Sequence, residues 1–481
     1  MKKILFIASE AVPFIKTGGL ADVVGSLPKC FDKENYDVRV MIPKYLCIKE
    51  VWREKMTPVT HFYMDYLGVS RYVGILEYEY EGIKFYFIDN ESYFSGAKPY
   101  GDWYFDLEKF SFFCNAALSA LPLLEYKPDV IHCHDWQTGL VPVYLKDHYA
   151  GNVFYHGIKS VMTIHNLKFQ GVWNVETIKR FSQLSDYYFT SDKLEAYKNG
   201  NMLKGGIVYA DAVTTVSQTY AEEIKTPFYG EGLDGLMRAR TNDLRGIVNG
   251  IDYDDFNPAT DTKIAQPYDA GNVHEEKIKN KRALQEQLGL PVDDEKFVVG
   301  IVSRLTDQKG LDLIQAVMDE LCTEDMQLVV LGTGDEKYEN MFRHYDWKYH
   351  DRVSAQIYYS DELSHKIYAG CDAFLMPSLF EPCGLSQLMA LRYGTVPMVR
   401  ETGGLKDTVT PYNEFEEAGT GFSFSNYNAH EMLDTIRYAK HVFLEKKDEW
   451  KKIVDRAMNA DYSWNASALK YQDLYDELIA K

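Results

Sequence analysis

Short runs of apolar residues recur along the chain, each followed by a longer stretch with helical spacing. Ile4–Ala8, Val38–Ile42, Phe85–Ile88, Val130–Cys133, Ser160–Ile164 and Ala212–Val216 read as buried strands in the first half. Phe297–Val302, Gln327–Leu331, Ala373–Met376 and Val396–Val399 read the same way in the second. Apolar runs without polar alternation, spaced by helices, predict parallel sheets covered on both faces. The expected class is therefore α/β, doubly wound.

The chain has 481 residues, too many for one ordinary core, and its length predicts about two to four domains. Val248–Asp252 (VNGID) and Phe256-Asn257-Pro258 are turn-rich and place the linker near 246–258. The expected division is 1–248, 249–460 and a terminal segment 461–481, whose helix carries Trp464, Tyr471 and Tyr475 and is expected to pack back on the first domain. The start, MKKILFIASE, imitates a signal peptide, but Glu10 ends the apolar run too early, so a buried first strand is expected. No apolar run reaches the length of about eighteen residues that a membrane span needs. Seven scattered cysteines, an odd number without a Cys-x-x-Cys pair, suit reduced thiols and a cytoplasmic location. A net charge of −19 argues against nucleic-acid binding over a broad face.

Within that acidic chain, a few cations stand at strand ends, where open parallel sheets bind ligands. Lys16 precedes Gly18-Gly19 in TGGLAD, and an echo, TGGLKD, carries Thr402, Gly403 and Gly404. Paired glycines at a strand-to-helix turn admit a ligand close to the backbone, and a helix N-terminus favours phosphate. Two such loops, one per half, predict two nucleotide-type domains facing a central cleft. Arg304 and Lys309, in SRLTDQKG, follow the strand Phe297–Val302 and suit a diphosphate. Glu381 follows Ala373–Met376 and is placed either to hold sugar hydroxyls or to begin a helix, where Gly384-Leu385 lie; Cys383 beside it reads as a packed thiol. Asp135-Trp136 and His165-Asn166 also end strands, and polar groups beside an aromatic suit a sugar. A metal site at His132, His134 and His165 lacks a further ligand at usual spacing. Gly332-Thr333-Gly334 lacks the third glycine of a dinucleotide fingerprint, since position 337 is Lys, and Asp252-Tyr253-Asp254 reads as turn chemistry rather than a metal motif.

Taken in order, KTGGLADVVGSLPK (16–29), HCHDWQTGL (132–140), TIHNLKFQG (163–171), NGIDYDDFNP (249–258), SRLTDQKG (303–310), FEPCGLSQL (380–388) and VRETGGLKDTV (399–409) make the chain resemble bacterial glycogen synthases and plant starch synthases, over nearly its whole length. The resemblance implies the GT-B fold of two Rossmann-like domains. It implies transfer of glucose from ADP-glucose to the non-reducing end of an α-1,4-glucan, glycogen or maltooligosaccharide, with retention, no metal and no other cofactor. Carried over by motif, Lys16, Arg304 and Lys309 would hold the diphosphate, with Gly403-Gly404 adding backbone donors. Tyr359 would lie by the adenine and Glu381 would bind glucose hydroxyls. His165 would set its main-chain carbonyl near the anomeric carbon, while Asp135, Trp136 and Asn166 would line the sugar. The chain departs from the family where an Asp-Asn-x-x-Arg-Phe run is usual and Asp106-Leu107-Glu108-Lys109-Phe110 stands instead, which bears on local acceptor contacts. Position 389 is Met where wider GT-B groups carry a second Glu. The competing readings are a retaining GT-B enzyme using UDP-glucose and a small acceptor, a silent glucan-binding protein, which would predict a damaged cation set, and, last, a nicotinamide oxidoreductase.

Overall fold

The computed structural model describes residues 1–481 and divides into two compact units. The first comprises Met1–Val216, Ala221–Ile247 and Trp464–Lys481; the second comprises Ser217–Tyr220 and Val248–Ser463.

The first unit is built on a nine-stranded sheet. Seven strands run parallel, in the order Leu244–Gly246, Ala212–Thr215, Lys159–Ile164, Val130–His134, Lys2–Ile7, Tyr36–Pro43 and Ile83–Asp89. Their apolar side chains are almost wholly enclosed, Ile4 to Ile7 and Val130 to Cys133 among them. Each such side chain contributes about 1.5–3 kcal/mol on burial. The sheet is not purely parallel. Val69–Tyr80 and Thr57–Tyr66 extend it by antiparallel pairing from Ile83–Asp89. Their hairpins turn on Leu67-Gly68 and Glu81-Gly82, all four residues with positive φ, the two-residue turn that matches strand twist. The helix Trp464–Ala480 belongs to this unit, burying Trp464, Tyr471, Leu474, Tyr475 and Leu478.

The second unit has six parallel strands in the order Val353–Gln356, Met326–Leu331, Phe297–Val302, Ala373–Met376, Val396–Arg400, Phe422–Phe424. Numbered along the chain this is 3-2-1-4-5-6, the doubly wound order, and its direction reverses between Phe297–Val302 and Ala373–Met376. In the first unit the same reversal falls between Lys2–Ile7 and Val130–His134. The crevice beyond the carboxyl ends at such a point is where these folds bind ligands.

Candidate active site

In the second unit, both loops at the reversal point carry expected residues. Arg304, Lys309 and the short turn Asp307–Lys309 follow one strand; Glu381 follows the other. Lys309 Nζ donates to Glu381 Oε2 at 2.7 Å, and Ser378 Oγ donates to the same oxygen at 3.0 Å. Arg304 is exposed and makes no ion pair. One cation is thus already held by a carboxylate, and one is free to meet an anion.

The loop 377–384 that presents Glu381 is fixed from several sides. Gln308 O accepts from Leu379 N at 2.9 Å, and Arg400 Nη1 donates to Leu379 O at 2.8 Å. Ser217 Oγ donates to Pro382 O at 2.6 Å, and Gln387 Nε2 donates to Cys383 O and Gly384 O, both at 2.9 Å. Gly403 and Gly404 press against this loop: a Cβ would fall 1.8 Å from Glu381 O at the first and 2.0 Å from Cys383 O at the second. The Gly404 amide donates to the carbonyls of Glu381 and Pro382 at 3.1 and 3.2 Å. The Gly404 N–H is thus engaged within the protein, and the glycine pair seats the Glu381 loop. Thr402 is fully buried beneath that contact. Cys383 is buried and burial pushes its thiol up to about 12, which makes it a packing residue without nucleophilic character. Leu385 caps the helix Ser386–Arg392, and Gly384 takes a positive φ of 75° just before it. Tyr359 stands 82% exposed in the loop before the helix Asp361–Gly370, a free ring face.

In the first unit, the residues expected on the sugar side cluster at the other reversal point. Asp135 has φ 59° and ψ −173°, a conformation nearly confined to glycine and costing about 1–3 kcal/mol. Its carboxylate accepts the His165 backbone N–H at 2.7 Å, so it sets the orientation of the His165 peptide. Burial pushes the Asp135 carboxyl up to about 7. The His165 ring meets His134, Nε2 to Nδ1 at 3.0 Å, and burial drives its imidazole down to about 3, so the ring is neutral. Asn166 turns the following chain through an Oδ1 that accepts Lys168 N at 3.1 Å. Trp136 is buried against Phe110 and Trp103. His132, weighed above as a metal ligand, has both ring nitrogens taken, by Tyr475 OH at 2.6 Å and Thr163 Oγ1 at 2.5 Å.

Lys16 donates to Asp22 Oδ1 at 2.8 Å, ahead of the helix Gly19–Ser26. A Cβ on Gly18 would meet nothing within 4 Å, so space lies open in front of that glycine. The loop itself hangs on a residue that sequence reasoning passed over. Glu10 accepts Thr17 N at 2.5 Å and Thr17 Oγ1 at 2.9 Å, and burial pushes its carboxyl up to about 7. Tyr100 OH lies 2.7 Å from Ser9 Oγ and donates to Glu10 Oε1 at 3.2 Å. Tyr100 is in turn held by the departing segment: Lys109 Nζ donates to Pro99 O at 2.6 Å and to Asp106 Oδ1 at 2.5 Å, while Asp106 Oδ2 accepts Gly101 N at 2.9 Å. The sequence signals for this network were Glu10, an acid shortly after a buried strand, and the Asp106–Phe110 run that departs from the family pattern.

A family model described as the starch synthase catalytic domain matches residues 3–239, and one described as glycosyl transferases group 1 matches residues 282–454. The chain is 69% identical to a glycogen synthase of Lachnospira eligens, over 99% of this chain and 100% of that one. It is 51% identical to a glycogen synthase of Anoxybacillus flavithermus, over 99% of this chain and 98% of that one. Among solved structures, the catalytic domain of starch synthase IV from Arabidopsis thaliana, bound to ADP and acarbose, superposes with a TM-score of 0.93 at 32% identity, covering 100% of both chains. With identity of this level along its entire length, the chain belongs to the glycogen synthase and starch synthase family of glycosyltransferases.

Proposed function

We propose that the protein is a glycogen synthase that moves glucose from ADP-glucose to the non-reducing end of an α-1,4-glucan, with retention, in the cytoplasm. The observation that carries this reading is the Lys309–Glu381 pair at a fold reversal point, with the exposed Arg304 in the same loop as Lys309. Cations suited to a leaving diphosphate and a carboxylate suited to sugar hydroxyls stand there together. The ADP bound to the Arabidopsis relative supports adenine as the donor base, with the exposed Tyr359 as its platform, and the acarbose bound there supports a saccharide acceptor.

In the proposed reaction, the bond between the glucose anomeric carbon and the diphosphate oxygen breaks, and a bond to the acceptor hydroxyl oxygen forms on the same face. The acceptor proton passes to the leaving phosphate oxygen, so ADP departs and no protein nucleophile is consumed. Arg304 and Lys309 stabilise the charge that develops on the diphosphate, and Lys16 is assigned to the same group. Glu381 fixes glucose hydroxyls. The His165 carbonyl, oriented by the Asp135 grip on its amide, is assigned to the positive charge at the anomeric carbon. Asp135, Trp136 and Asn166 line the sugar. No metal is assigned a role: Arg304, Lys309 and Lys16 are assigned the charge on the diphosphate.

The test is incorporation of labelled glucose into glycogen from ADP-glucose and UDP-glucose in parallel, with and without chelator. Transfer from ADP-glucose that survives chelation supports the reading. Preference for UDP-glucose overturns the donor assignment, loss with chelator overturns metal independence, and no transfer to glycogen overturns the acceptor.

A further inference from the structure

The nine-stranded sheet of the first unit ends on Thr57–Tyr66, the last strand in its order. The inner side of this strand pairs with Val69–Tyr80, and its outer side meets no other strand. The two-residue turn Leu67-Gly68 makes Tyr66 and Val69 a hydrogen-bonded pair, and the pairs alternate from there. Met64, Phe62 and Thr60 thus turn their N–H and C=O groups inward, to Arg71, Val73 and Ile75. Asp65, Tyr63 and His61 turn theirs outward, to the open edge. That row of donors and acceptors is a template for another strand.

Protein sheets usually guard such an edge with charges, proline or a bulge. Here Pro58 and the register shift between Pro58 and Thr60 guard only the start of the strand. Residues 60–66, THFYMDY, carry a single formal charge, on Asp65, in a chain that is 26% charged with a net charge of −19. Two acidic molecules meet the least repulsion along such a segment. Its solvent face is aromatic instead. Tyr63 is 64% exposed and Tyr72 40% exposed. The Tyr72 ring lies 5.9 Å from Tyr63 and stacks on His61 at 5.8 Å.

The row is also self-complementary. Antiparallel pairing of two copies about a twofold axis at Tyr63 sets His61 opposite the second copy's Asp65, and Asp65 opposite its His61. The outward groups of these residues then exchange both hydrogen bonds in each pair, and the two Tyr63 residues face each other. Phe62 falls opposite Met64. Moving the axis to Phe62 or Met64 would set a tyrosine opposite His61 or Asp65 instead and lose the imidazole–carboxylate pairs. Opposite charges and aromatic pairs across strands are the contacts that stabilise a sheet.

We propose that residues 60–66 form an interface for a second copy of this chain, with the two edge strands pairing antiparallel about Tyr63 so that one sheet runs through both copies. The contact is isologous and closes as a dimer. It is small for a specific interface, so the dimer should grow with concentration.

Sedimentation velocity on the full chain at about 1 and 100 µM tests it, the expected result being a species of twice the chain mass at the higher concentration. Tyr63→Pro removes an outward N–H and leaves the bonds to Val69–Tyr80 in place. His61→Asp sets like charges opposite each other. Each should weaken association by at least about tenfold, with the melting temperature at about 1 µM within a few degrees of wild type. Adding Asp65→His to His61→Asp exchanges the pair across the axis and should restore wild-type association. A wild-type protein that stays monomeric at about 100 µM overturns the proposal, as does a dimer that every variant leaves intact. If Tyr63→Pro fails to fold, the charge variants decide alone: association unchanged by His61→Asp, or not regained in the double variant, overturns the pairing about Tyr63.

Discussion

Lys309 Nζ lies 2.7 Å from Glu381 Oε2, in an ion pair whose side chains are only 17% and 7% exposed. Each charge therefore compensates the other, and in the proposed reaction a diphosphate competes for the lysine. Breaking such an enclosed pair from one side costs about 3–5 kcal/mol when burial is complete, and somewhat less here. Lys309→Ala should lower turnover about a hundredfold or more, because a cation at the developing charge is lost. It should also lower stability, by leaving Glu381 with Ser378 as its remaining side-chain partner. Adding Glu381→Gln removes the stranded charge, so the double variant should regain most of that stability while turnover stays low. Urea denaturation beside initial rates separates the two effects. Near wild-type turnover in Lys309→Ala would remove the diphosphate assignment.

Lys109 and Asp106 clamp both peptide groups that flank Tyr100, and both side chains are 5% exposed. Burial lowers the Lys109 ammonium below its usual range, against the opposing pull of Asp106. Lys109→Met leaves Asp106 unpaired and frees the Pro99 carbonyl, so it should destabilise the protein by about 3–5 kcal/mol. Tyr100→Phe removes only the hydroxyl that meets Ser9 and Glu10. It should leave the melting temperature within a few degrees of wild type and lower kcat/KM by about three- to tenfold. A Tyr100→Phe enzyme with unchanged kinetics would make the clamp purely structural.

The buried carboxyls set the expected pH dependence. Glu10 and Asp135 are both raised to about 7, chiefly by burial. A carboxyl raised by folding stabilises the folded state fully below its ordinary range, and that contribution is lost as pH rises through about 7. His132 and His165 are lowered to about 3 by burial, so their contribution is present above about 6.5 and lost as pH falls toward 3. Activity runs the other way from the carboxyl stability. Thr17 directs two donors at Glu10, and the His165 amide directs one at Asp135, and these are met best by carboxylates. The rate should therefore climb as pH rises through about 7. Glu10→Gln should remove one of the two ionisations and flatten that limb, visible as a shallower slope of log kcat/KM between about pH 5.5 and 8. An unaltered slope would separate Glu10 from the reaction.

The parallel strands were legible because their burial is written as unbroken apolar runs; Phe297–Val302 and Ala373–Met376 run between the same residues in sequence and structure. Thr57–Tyr66 and Val69–Tyr80 were not. One face of that hairpin meets solvent, so His61, Tyr63 and Asp65 interrupt the apolar pattern. Their turns, Leu67-Gly68 and Glu81-Gly82, lack the Asn-Gly or Asp-Gly signature of such loops. The placement of Arg304, Lys309 and Glu381 in the loops that follow two buried strands could be read from the sequence, because those strands are unbroken apolar runs. Tyr100 could not, since its partner Ser9 is 91 residues away and nothing local distinguishes it from other tyrosines. Lys109 was visible as a departure from the family pattern, but its burial against Asp106 comes from packing alone.

The seat of Glu381 gives a sharp steric prediction. Gly403 has a φ of 46°, and a Cβ there would fall 1.8 Å from Glu381 O, with Pro382 O at 3.3 Å. Both contacts are backbone, so no flexible side-chain tip can yield. Gly403→Ala must therefore push the loop 377–384 away or shift the helix Gly403–Thr408, and it pays about 1 kcal/mol more for the left-handed backbone. Gly18, by contrast, has extended backbone and an empty surrounding shell. Gly18→Ala should cost little stability and act only where a ligand approaches, raising donor KM without moving the melting temperature. Gly403→Ala should lose several degrees in melting temperature and at least about tenfold in kcat, through displacement of the Glu381 carboxylate from Lys309. A Gly403→Ala protein that kept both its melting temperature and its turnover would mean that the loop tolerates displacement, and Glu381 would then need no fixed seat.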